Sequence, residues 1–177
     1  MILRYRLLAE RLRVELKALQ RIVARAEAAV VLARKRPAEQ DYFLGSAALD
    51  LHAFYTGVER LLELIASDLD ESRPATPHWH RDLLAQMSLV IPDVRPAVLR
   101  TETSAALIEY LEFRHVVRNV YTFNLRPDRV AELVNGLRPA CQLVENDLLS
   151  LTRFLETIAM TPDPSSVELP GNLKRAE

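Results

Sequence analysis

Apolar residues at Tyr5, Leu8, Leu12, Leu16, Leu19, Val23, Ala26 and Val30 alternate steps of three and four, the spacing that gathers side chains on one face of a helix. The pattern predicts a long first helix over residues 2–35. Arg34, Lys35 and Arg36 complement its negative end, and Pro37 cannot continue the hydrogen-bond ladder. Leu44, Ala48, Leu51, Tyr55, Val58, Leu62 and Ile65 repeat the spacing and predict a second long helix over 39–69, antiparallel to the first. Gly45 and Gly57 fall inside it at a cost of about 1 kcal/mol each relative to alanine, which leads us to expect close approach of another backbone. Ser72, Pro74, Thr76 and Pro77 mark residues 71–77 as a loop. A shorter third helix is expected over 78–91, ended by Pro92, and a turn follows to Pro96. A fourth helix is expected over 101–123, with Thr101 or Thr103 available to cap its first turn. Pro127 suits the first turn of a fifth helix over 127–160, in which Gly136 and Pro139 mark the place for a kink.

Composition sharpens this into an all-α helical bundle of about five helices. The 177 residues include only four glycines and long stretches of Ala, Leu, Arg and Glu, which lose little rotamer freedom on a helix. That length supports one substantial core, so residues 1–160 are expected to form one domain and 161–177, with Pro162, Pro164 and Pro170, an extended or disordered tail. The lone Cys141 excludes an internal disulfide and a multi-cysteine zinc site, and reads as a small buried apolar residue. Residues 1–20 are punctuated by seven charged side chains and no apolar run approaches spanning length, so no export segment or membrane span is expected and the reading is cytoplasmic. The net charge of −1 conceals an asymmetry, because residues 1–36 carry +7 and the rest −8. Such a basic helix either attracts phosphate or an acidic partner, or is a solvated face.

The fourth helix carries the least ordinary residues. In 113–123, Phe113, Val116, Val117 and Val120 fall on one side, while Arg114, His115, Arg118, Asn119 and Thr122 occupy an arc of about 140° on the other, bordered by Tyr121. Two arginines beside a histidine suit an anion such as phosphate; the plainer alternative pairs Arg114 and Arg118 with acidic residues of neighbouring helices. His52, His78 and His80 are weaker candidates. His78 and His80 flank Trp79 but diverge on a helix, which argues against zinc. Tyr42, Tyr55 and Trp79 are expected in the core rather than as stacking platforms for bases.

These residues bear a resemblance to the HepT-like branch of the HEPN superfamily, whose signature is Arg-x4-His-x-Tyr near the end of a helix. Arg114, Asn119 and Tyr121 stand at its three marked positions, and residues 54–60 and 79–84 also resemble segments of that branch. The resemblance implies a helical bundle that dimerises, brings two copies of the signature helix together and cuts RNA with no metal or other cofactor. It also implies a toxin–antitoxin setting, in which a minimal nucleotidyltransferase silences the toxin by attaching AMP to the signature tyrosine, here Tyr121. A bulky anion there would occupy the space and charge meant for RNA phosphate beside Arg114.

Asn119 departs from the signature, and the departure bears on mechanism. Metal-free cleavage needs a base for the 2′-hydroxyl, an acid for the leaving 5′-oxygen and a cation for the phosphorane. Arginine supplies the cation, but an asparagine amide exchanges no proton near neutral pH. Three readings follow: His115 takes over, the chain is an engineered inactive form, or it is a HEPN module that binds a nucleotidyltransferase without cutting. On the first, Arg114, His115 and Asn119 form the catalytic group and Arg114 and Arg118 hold phosphate.

Overall fold

In a computed structural model, which describes residues 2–119 and 125–160, five α-helices form one bundle. They are α1 (Ile2–Lys35), α2 (Gln40–Asp68), α3 (Trp79–Met87), α4 (Thr101–Asn119) and α5 (Pro127–Met160), with a 3-10 turn at Pro37–Glu39 between the first two. α2 lies against all four others, while α1 packs on α2 and α5. That central place explains its broad apolar stripe, in which Leu44, Ala47, Ala48, Leu51, Phe54, Tyr55, Val58, Leu61, Leu62 and Ile65 are all buried. The buried face of α1 is the predicted one, from Leu8 through Leu12, Leu16, Leu19, Val23 and Ala26 to Val30. No helix among the described residues is long and apolar enough to cross a membrane.

Four local expectations need correction. α3 stops at Met87, not Ile91: Ser88 donates its hydroxyl to Leu84 O, and residues 88–100 run on as an irregular strap closed by a bridge between Ile91 and Arg95. Asp93 sits in that strap at φ 60°, a left-handed conformation that a continuing helix excludes. Second, neither threonine is seen capping α4. Thr103 is buried with its hydroxyl unpaired among the described residues, and the residue before the helix, Arg100, is held through its backbone N–H by Asp147 Oδ2 at 2.9 Å. Third, Gly57 makes room for a side chain rather than a backbone, because a Cβ there would lie 2.7 Å from Leu19 Cδ2. Fourth, Tyr42 is 76% exposed, whereas Tyr55 is buried and Trp79 packs partly buried against the core.

The remaining features follow the chain's pattern. α5 runs as one helix through Pro139. Cys141 is buried, and burial pushes its thiol up to about 11. The basic first helix spends part of its charge on intramolecular ion pairs at the surface, since Arg4, Arg13 and Arg25 pair with Glu71, Glu156 and Asp50. The expected extension of α4 beyond Asn119, over 120–123, and the tail from 161 lie outside the described residues.

Candidate functional site

The buried seam of α4 runs Thr103, Leu107, Tyr110, Arg114 and Val117, in alternating steps of four and three. Arg114 therefore occupies a core position in the pattern, and its side chain is only 10% exposed. The arc drawn from the sequence is rotated accordingly: Arg114 turns inward while Val116, expected on the apolar side, is 45% exposed. A buried guanidinium needs compensation. α2 provides it through Glu59, whose Oε2 lies 3.3 Å from Arg114 Nη2 and whose side chain is itself buried.

Glu59 serves a second partner. Its Oε1 makes a short hydrogen bond with His80 Nδ1 in the first turn of α3, and the far side of that ring, Nε2, lies 3.2 Å from Arg114 Nη1. Because arginine can only donate, Nε2 must accept, and the ring proton sits on Nδ1, donated to the carboxylate. Glu59, His80 and Arg114 thus close a three-way network between α2, α3 and α4. Trp79 lies over the His80 ring at a tilt of 35° and a centroid distance of 3.6 Å, and His115 meets it edge-on at 5.8 Å.

The network has polar capacity to spare. Arg114 Nε, together with His52 Nδ1 and Thr56 Oγ1 from the same side of α2, is buried without a hydrogen-bond partner among the described residues. Burial lowers the pKa of His52, and the Arg114 and Arg118 charges lower it further. His115 is lowered for the same first reason, then by His80, Arg114 and Arg118, with Glu59 opposing. From an ordinary value of about 6.5, a downward shift leaves most of the His115 ring neutral at pH 7. Burial, reinforced by Glu59, pushes the Tyr55 phenol well above its ordinary range.

Arg114 lies buried against Glu59 and His80, its neighbour His115 is exposed and meets His80 edge-on, and Arg118 is exposed with no ion pair among the described residues. Asn119 ends α4, its side chain outside the described residues, and Tyr121 lies outside them altogether. Glu59 was missed in the sequence, and His80 was ranked only as a weaker candidate. Both stand in segments already singled out, but their contacts with Arg114 span 55 and 34 positions of sequence, beyond the reach of any helical wheel. Chemically, the arrangement offers one cation wholly in the protein, one at the surface, and two imidazoles within reach of each other.

Over residues 46–156, from α2 almost to the end of α5, the chain matches the family described as HepT-like protein. No curated protein and no solved structure matches it.

Proposed function

Because the chain belongs to the HepT-like family of the HEPN superfamily, we propose that it is a metal-independent endoribonuclease toxin of a toxin–antitoxin pair, acting in the cytoplasm as a homodimer. The observation that carries this reading is the placement of Arg114, His80 and His115 at one meeting point of three helices. Arg114 and Arg118 bind the phosphate and stabilise the phosphorane charge, and Asn119 orients the substrate by hydrogen bonding. His115 carries the proton. Its downward shift keeps it available as a base at neutral pH. The direct test is incubation of the purified chain with labelled RNA in chelator. Cleavage should proceed, leaving 2′,3′-cyclic phosphate and 5′-hydroxyl ends, and Arg114→Ala should slow it by about tenfold or more.

Regulation follows the same reading. A minimal nucleotidyltransferase supplied with ATP should attach AMP to Tyr121, raising the intact mass by one or more AMP units. Labelling of Tyr121→Phe as efficient as that of the parent would show that the acceptor lies elsewhere.

A second reading, a non-catalytic HEPN adaptor for a nucleotidyltransferase, is favoured by two observations. Asn119 stands at the signature histidine position, and Arg114 is engaged internally by Glu59 and His80. Failure of a folded dimer to cleave any RNA selects it.

A further inference from the structure

We propose that His80, held by Glu59, is the general acid of the cleavage, filling the proton-transfer role that Asn119 cannot; this rests on the ribonuclease reading above. The case begins with the ring's two ends. Nδ1 is committed to a buried carboxylate, the arrangement that fixes a catalytic imidazole's tautomer and orientation and carries the balancing negative charge when the ring holds a second proton. Nε2 is the remaining end. It faces Arg114, the cation to which the reading assigns the phosphate, so a phosphate drawn to that guanidinium arrives beside Nε2. The ring retains 13% exposure and touches the exposed His115 edge-on, which places the two imidazoles on the same reacting group.

The proton inventory closes on these residues. As Arg114 turns from His80 to the phosphate, Nε2 becomes free to take a second proton from solvent. Neutral His115 then takes the 2′-hydroxyl proton, the O2′–P bond forms and the P–O5′ bond breaks. The 5′-oxygen leaves with the bonding pair and receives the Nε2 proton of His80. His80 returns to the tautomer seen here, with Nδ1–H on Glu59, and His115 loses its extra proton to solvent. Trp79 and Glu59 hold the ring from its face and its edge, so neither transfer requires it to rotate.

A general acid can be separated from a structural histidine by the leaving group. The cut site is first mapped on ordinary RNA, then the 5′-bridging oxygen at that position is replaced by sulfur, which departs without a proton. His80→Ala should cut ordinary RNA about 10²-fold more slowly than the parent but the sulfur substrate within about threefold of it. Glu59→Gln should show the same pattern more weakly, His115→Ala should be slow on both substrates, and the exposed His78→Ala should match the parent. Circular dichroism and sedimentation confirm that each variant is folded. Equal losses on both substrates by folded His80→Ala, or no loss on either, overturn the assignment while leaving the ribonuclease reading intact. A folded parent that cuts neither substrate overturns both.

Discussion

In a His80→Ala background, Asn119→His should restore metal-independent RNA cleavage by about 10²-fold, the usual worth of one general acid or base. In the otherwise unchanged chain, the same substitution should alter cleavage by less than about threefold, because His80 already fills the role and an imidazole at 119 can still hydrogen-bond the substrate. The geometry of α4 explains why position 119 can substitute. It lies four residues beyond His115, one turn along the same face, so a histidine there stands about 6 Å further along the helix axis, beside the existing base. Adding Arg114→Ala to the rescued variant should remove the gain, since the cation serves whichever histidine carries the proton. A gain of about tenfold or more from Asn119→His alone would instead show that Asn119 inactivates the chain and that His80 is no replacement.

The contrast between positions 119 and 80 shows what a single sequence could convey. Long helices declared themselves because their apolar spacing is a local property, repeated over about seven turns in α1 and about six in α2. The end of α3 did not: Leu89, Val90 and Ile91 look like one more apolar turn, yet Leu89 and Val90 are exposed at 61% and 66%. What ends the helix is the strap folding back on it, with Val98 and Leu99 donating their backbone N–H to Met87 O and Arg95 donating to Gln86 O. At the site, Arg114 was identified by its neighbours in the chain, but its orientation was misjudged, because arginine was assigned to the polar arc by residue type. The steps Leu107, Tyr110, Arg114 and Val117 were a legible signal of a buried cation. A buried cation in turn demands a carboxylate. Glu59 lies between Val58 and Leu62 in the buried stripe of α2, which holds one other carboxylate, Asp50, nine residues earlier, and it was the better candidate. His80 gave no comparable signal, since its value comes from α3 docking on α2 and α4.

One anchor of that docking lies in the strap, and Arg95→Ala should lower the unfolding free energy by about 3–5 kcal/mol, as measured by urea denaturation. The Arg95 and Asp70 side chains are 0% and 2% exposed. Nε and Nη2 of Arg95 bind Oδ1 and Oδ2 of Asp70 at 2.5 and 2.7 Å, a two-pronged pairing just beyond the end of α2. The remaining guanidinium donors reach Leu89 O, Pro96 O and Gln86 O at 2.9, 3.1 and 3.2 Å, so one side chain ties α2, the end of α3 and both arms of the strap. Removing Arg95 strands a buried carboxylate whose other side-chain partner is Gln86 Nε2 at 2.6 Å, and it frees three carbonyls. α3 has only nine residues and is too short to hold a helix unaided. It is pinned at one end by Arg95 through Gln86 and at the other by Glu59 through His80. Arg95→Ala should therefore also lower the RNA-cleavage rate at temperatures where the variant is still folded. The double variant Arg95→Met with Asp70→Leu, which removes both charges and keeps apolar bulk, should recover most of the lost stability. If the double variant is as unstable as Arg95→Ala, the carbonyl contacts rather than the ion pair hold the strap. If Arg95→Ala loses less than about 1 kcal/mol, the strap does not anchor α3.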